Sequence, residues 1–236
     1  MPILANPHDT EAAANERAQQ ADPLVMYLVA PRRPETSSGE QLEAAIAAVL
    51  DAERAFAQHP QHGEAYRKWR RRSYRKVCLR GRPSDYERLH ELDHVQAGDV
   101  LCLPPMLRSQ APREVKRLQA HKGPALAPGE AAPQLAEEEQ AFLHLIPAGL
   151  GMTLGKAIAQ VGHSAHLARE LHGCDAGADR VALTSQEVID RLAAEADLAA
   201  VTDAGLTQLE RGSRTVYALA PGKRPAWLAP QLHRPA

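Results

Sequence analysis

Aromatic side chains make up only 4% of this 236-residue chain, so a core must be filled mainly by Ala, Leu, Val and Ile. Its three cysteines, Cys78, Cys102 and Cys174, form no Cys-x-x-Cys pair, and so sparse and odd a set argues against a disulfide framework or a cysteine zinc site. The eleven histidines show no metal-ligand spacing, and neither a metal nor another cofactor is expected. No apolar run approaches the roughly 20 residues of a membrane helix. The N-terminus lacks the order of a secretory signal, so a soluble, cytoplasmic protein without a membrane partner is expected. Net charge is also lacking, at −1, so any nucleic-acid site must come from local clustering.

What is present is an ordinary globular composition, 44% hydrophobic and 24% charged, in a chain long enough for one or two domains. Residues 1–22 lack an apolar stripe and read as a mobile tail. Leu24 to Ala30 is a continuous apolar run closed by Pro31, which reads as a buried strand. Ser37 or Ser38 can cap a helix over 40–58. Between Arg67 and Arg82 nine Arg and Lys residues fall with no acid among them, and Trp69 and Tyr74 are interleaved. Such a run can neutralise phosphates while its rings stack on bases, which makes Arg70, Arg71 and Arg72 candidate substrate-binding residues. The competing reading is a solvated helix face paired with Glu64, Asp85 and Glu87. The Pro-, Gly- and Ala-dense segment 121–139 reads as a linker.

Strand and helix signals then recur: strands at 141–146, 180–184, 198–201 and 214–219, with a Ser185-capped helix after the second. Both halves read as strand, Gly-bearing loop, helix, strand, helix, strand. Gly39-Glu40 and Gly155-Lys156 stand 116 residues apart, as do Leu42 and Ile158. The expected fold is therefore α/β, mixed but mostly parallel, with helices on both faces. It comprises a 23–120 half (a degenerate repeat) and a 140–222 half, followed by an irregular tail at 223–236.

Candidate chemistry concentrates in the second half. In GMTLGKAIAQVGHSAHLAREL, Lys156, Gln160 and His163 are spaced four and three residues apart, on one helical face. A lysine near a helix start is electrostatically disfavoured, which favours a functional reason for it. In VTDAGLTQLERGSRTVYALAP, Asp203 follows a strand, and Thr207, Gln208 and Thr215 come after a Gly turn. Polar groups just past a strand end face the crevice where α/β proteins hold ligands. Taken singly, Asp203 and Thr207 can be turn formers and His163 a structural histidine.

Taken together, these two stretches resemble the signatures of type 2 peptidyl-tRNA hydrolases, the bacterial-archaeal-eukaryotic class. The matching positions are Gly155-Lys156, Ala159-Gln160, His163-Ser164, Asp203-Ala204-Gly205, Thr207-Gln208 and Gly212 to Val216. The resemblance covers about a third of the chain, and the added N-terminal half is similar to that of longer actinobacterial members. Leu206 stands where the family usually has Arg, and HLIPAGLGMT lacks its usual Arg and Asp-Leu pair. The resemblance implies metal-independent hydrolysis of the ester between a peptide and the 3′ ribose of tRNA. It implies catalytic roles for Lys156, His163, Asp203 and Thr207, with Gln160, Gln208 and Thr215 holding substrate. The alternative is an RNA-binding protein on the same fold whose activity has decayed. In either case tRNA is the expected partner, of a homodimer or of a monomer with pseudo-dimeric halves.

Overall fold

The protein is described from a computed structural model covering residues 4–5, 22–137, 140–173, 177–206 and 208–236. Strands β1 (Leu4–Ala5), β2 (Leu24–Pro31), β3 (Arg75–Gly81), β4 (Val95–Ala97), β5 (Val100–Cys102), β6 (Met106–Leu107) and β7 (Gln119–Ala120) precede β8 (Pro128–Ala131) and β9 (Ala141–Pro147). Strands β10 (Ala178–Thr184), β11 (Leu198–Thr202), β12 (Arg214–Leu219) and β13 (His233–Pro235) complete the set. The α-helices are α1 (Ser38–Phe56), α2 (Gly63–Lys68), α3 (Pro83–Leu89), α4 (Arg113–Lys116), α5 (Leu154–His172) and α6 (Gln186–Glu195).

Two sheets form. One runs β4-β5-β2-β3-β7, with β6 also on β2; the other runs β1-β11-β12-β9-β10-β13-β8. The expectation of mostly parallel sheets is corrected: both are mixed. The parallel pairs are β2/β3, β9/β10 and β1/β11, and the remaining pairings are antiparallel. The reason is connection length. A long helix separates β9 from β10, and α1, α2 and a π-helical turn separate β2 from β3, so those neighbours can run parallel. The tight turn at Gly98 (φ 52°) joins β4 to β5 and forces them antiparallel. In β4-β5-β2-β3, and likewise in β11-β12-β9-β10, the first two pairings are antiparallel and the third parallel.

Helices do lie on both faces of each sheet. α1 and α5 pack on each other between the sheets, α5 also against β3, β11 and β12, and α1 also against β4, β5 and β10. One continuous core results, joining Leu28, Ile46 and Val49 to Ile158, Val161, Phe142 and Val216. Gly162 permits this approach, since a Cβ there would lie 3.0 Å from Val49. The outer face of the larger sheet is covered by Ile189 and Leu192 of α6, and that of the smaller by Leu89 and Val115. Helix α1 starts where a capping box forms: Glu40 N–H donates to the Ser37 hydroxyl, and Ser37 N–H donates to the Glu40 carboxylate.

The segment read as a linker is tied down. Leu126 N–H donates to Met152 O at 2.8 Å, Leu135 is buried, and β8 pairs with β13. The C-terminal stretch read as irregular carries a 3-10 helix and β13, which pairs with β10 while Leu228 is buried. Short Pro-bearing segments like these hold no periodic pattern for the sequence to display. Of the stretch read as a tail, Leu4–Ala5 pairs with β11, and residues 1–3 and 6–21 lie outside the described residues. Among the described residues no helix is long and apolar enough to cross a membrane.

A buried polar network joins α5 to its sheet. Ser164 and Asp179 hydrogen-bond the two ring nitrogens of His144 at 2.8 Å each, and Arg169 donates twice to Asp179. Burial alone would raise the Asp179 carboxyl, but the bonds from His144 and Arg169 outweigh it and hold the group at about 2, below its ordinary 3.8. A lowered folded-state value contributes stability above the unfolded value and loses it as pH falls. We therefore expect about 2 kcal/mol of stability to disappear between about pH 4 and pH 2. Denaturation midpoints across that window should fall for the wild type and flatten for Asp179→Asn; equal slopes would remove this role.

Candidate active site

The N-terminus of α5 and the loop after β11 meet because Gln208 joins them: its Oε1 accepts from Thr153 N–H at 3.3 Å and from the Thr153 hydroxyl at 3.1 Å. Thr153 is the residue before the first turn of α5, so this bond fixes the loop against the helix. Asp203 is only 4% exposed. Its backbone is pinned between strands by Asp203 N–H to Ser213 O at 2.7 Å and Gly212 N–H to Asp203 O at 2.9 Å. The turn that follows needs Gly205, whose φ is 71° and whose added Cβ would lie 2.9 Å from Arg211 backbone.

Among the described residues three donors share the carboxylate of Asp203. Oδ1 accepts from Gly205 N–H at 2.8 Å. Oδ2 accepts from the Lys156 ammonium and, at 2.8 Å, from Gln160 Nε2. The amide of Gln160 is itself oriented by the fully buried Thr215, whose hydroxyl donates to Gln160 Oε1 at 2.9 Å. A carboxylate oxygen can accept more than one hydrogen bond, and among the described residues Gly205 N–H is the donor at Oδ1. An ammonium and an oriented amide thus converge on one carboxylate oxygen.

These groups floor a cavity of about 760 Å³ whose wall comes from both sheets. Across from Asp203 stands β3, with Lys76 Nζ 3.2 Å from His163 Nδ1. Lys76 also sits 4.2 Å from the Tyr74 ring centre and 4.8 Å from that of Trp69. Burial pushes its amine well below the usual lysine range. Among the described residues the basic side chains lining the cavity are Arg75, Lys76, Arg108, Lys116, Lys122 and Lys156, and Asp203 is the one acid. Leu206, exposed by 46%, stands at the same cavity.

Of the residues picked out from sequence, Lys156, Gln160, Asp203 and Thr215 are brought into one hydrogen-bonded group. His163 lines the same cavity, one turn along, and faces Lys76. Gln208 ties the loop to the helix. Thr207 lies outside the described residues. Arg71 and Arg72 are exposed, whereas Arg70 is bonded to Glu170 at 3.0 Å and lies 4.7 Å from the Tyr74 ring. The expectation that Trp69 and Tyr74 stack on bases is corrected: they are 0% and 5% exposed. A five-residue π-helical turn, Trp69–Ser73, ends at Tyr74 in the left-handed region (φ 45°) and folds both rings inward. Trp69 Nε1 then donates to Arg75 O at 2.8 Å.

Sequence reasoning missed the cavity role of Lys76 and the contributions of Lys116 and Lys122. Lys76 was visible only as one member of a basic run, and the other two fall where no motif marks them. No group able to hold a metal ion occurs among the described residues. No known family, curated protein or solved structure matches the chain.

Proposed function

We propose that the chain hydrolyses the ester linking a peptide to the 3′ ribose of tRNA. The observation that carries this is the Lys156–Asp203–Gln160 group in a cavity lined, among the described residues, by six basic side chains. In this reading a water bound at Asp203 Oδ1 attacks the ester carbonyl carbon. Lys156 carries the charge that develops on the carbonyl oxygen. As the tetrahedral intermediate collapses, the bond to the ribose oxygen breaks, that oxygen leaves with a proton, and the peptide departs as a carboxylate. Asp203 orients the water and can receive its proton; Gln160, held by Thr215, keeps the carboxylate in place. His163 shapes the wall beside the reacting ester.

The matching strand order of the two sheets supports a further part of this reading, that the halves arose by duplication and form a pseudo-dimer in which one site remains. Glu40 occupies the first-half position of Lys156, and Ala44 that of Gln160.

The test is release of peptide from peptidyl-tRNA. We expect turnover by the wild type in the presence of a chelator, and loss of at least about 100-fold for Lys156→Ala. We also expect tRNA affinity that falls steeply with salt and weakens on charge reversal at the exposed Arg71 and Arg72. Bound tRNA without turnover by the wild type would leave the decayed RNA-binding reading in its place.

A further inference from the structure

We propose that the N-terminal half forms the phosphate-holding wall of the cavity: Lys76, with Lys116 and Lys122 at the rim, receives the phosphodiesters of a single-stranded RNA 3′ end whose ester lies at Asp203. This rests on the hydrolase reading for the position of the ester, but not for the presence of the wall. Three observations carry it. First, the lysines come from separate parts of the chain, α4 and β3 of the N-terminal half and the segment just after β7, yet converge on one cavity with Lys156. Second, the described lining holds six basic side chains and one acid, Asp203, which is engaged by Lys156 and Gln160, while Asp22 stands near Arg108 and Lys116 outside the lining; such an excess of basic groups favours an anion as ligand. Third, the strap that carries Lys122 is fixed at the mouth. His121 N–H donates to Cys78 O at 2.9 Å, and His121 packs so closely on Gly155 that an added Cβ there would lie 2.6 Å from the histidine's own Cβ.

The wall is graded. Lys116 and Lys122 are exposed, while Lys76 is 7% exposed and backed by Tyr74 and Trp69. An incoming phosphate first meets the hydrated ammonium groups of Lys116 and Lys122 and then the buried amine of Lys76, whose protonation the phosphate's negative charge favours. The exposed apolar side chain of Leu206, by contrast, stands on the loop after β11. A strand entering with its phosphates on the N-terminal wall therefore places its terminal ester toward Lys156 and its acyl group toward Leu206.

The probe is a short 5′-labelled single-stranded RNA with a free 3′ end, titrated against the full chain by fluorescence anisotropy at several salt concentrations. Lys116→Glu with Lys122→Glu should weaken binding at least about tenfold. The log–log salt slope should become shallower by about 1.4, two single-strand phosphate contacts. Lys223→Glu with Arg117→Glu, an equal charge change at exposed positions outside the lining, should stay within about twofold of wild type. Lys76→Met should also weaken binding; because it is buried, the rim pair keeps the test valid if Lys76→Met fails to fold. Wild-type affinity and slope in the rim variant would overturn the wall, as would equal weakening by the control pair or no binding by the wild type. Wall-dependent binding with no peptidyl-tRNA turnover would leave the wall standing and remove the hydrolase reading, so the two fail separately.

Discussion

Asp203→Asn is expected to lower kcat/KM for peptidyl-tRNA by about 100- to 1,000-fold, the largest effect of any conservative change in the site. The two atoms of the carboxylate are both acceptors in the folded protein. Gly205 N–H occupies one, and Lys156 with Gln160 occupies the other. An amide of the same size offers one acceptor oxygen and one donor NH₂. If the oxygen faces Gly205, the NH₂ points at the Lys156 ammonium and the Gln160 NH₂; if it is flipped, it faces the Gly205 N–H. Either way a donor meets a donor, and the charge that holds Lys156 is gone.

The same substitution also costs stability, because the Lys156 side chain is 11% exposed and is left without its carboxylate. Removing one member of a buried ion pair typically costs about 3–5 kcal/mol. A loss of activity could then reflect unfolding, and a double variant separates the two causes. Lys156→Met with Asp203→Asn removes both charges and should recover much of the stability, since a buried pair replaced by apolar volume is often neutral. It should recover none of the hydrolysis. Turnover restored together with stability in the double variant would assign the pair a purely structural role. Asp203→Asn within about threefold of wild type would remove Asp203 from the chemistry.

How much of this was legible in the residues differs from element to element. Helix α5 could be read because its apolar positions at Ile158, Val161, Ala165 and Ala168 recur at helical spacing, and β12 because Arg214 to Leu219 is bounded by turn and proline signals. A serine cap at Ser37 or Ser38 was visible for the same local reason, and the structure places it at Ser37. The sheet senses were not, because β4 to β7 are two or three residues long and their pairing is decided by partners far along the chain. Trp69 and Tyr74 misled because their neighbours are arginines. Local composition indicated a surface, whereas the left-handed turn at Tyr74 directs the rings into the core.

At the site, Lys156, Gln160 and Asp203 were legible as two short motifs. What sequence could not display is the opposite wall. Lys76, Lys116 and Lys122 reach the cavity only because α1 and α5 pack face to face and bring β3 against α5. That meeting is tertiary, and no spacing along the chain encodes it.

The second large effect tests that meeting directly at Gly155, where helix propensity and packing predict opposite signs. In an exposed helix, Gly→Ala gains about 1 kcal/mol. At Gly155 the added methyl would overlap the carbonyl oxygen of His121 and crowd its carbonyl carbon at 2.9 Å. Those are backbone atoms of a strap anchored by the His121–Cys78 hydrogen bond and by the pairing of β7 with β3, so they cannot turn aside as a side-chain tip would. Overpacking of this kind costs about 1–3 kcal/mol, enough to cancel or reverse the propensity gain. Gly155→Ala should therefore fail to raise Tm and should lower it by several degrees where the strap holds. Amide exchange at His121 should quicken as its bond to Cys78 opens, and the RNA affinity carried by Lys122 should drop with it. Gly149→Ala is the control, since nothing lies within 4 Å of a Cβ there, and its Tm should stay near that of wild type. A raised Tm with unchanged His121 exchange in Gly155→Ala would mean that the strap yields without cost, and the close packing of the first half on the α5 N-terminus would then not govern the site.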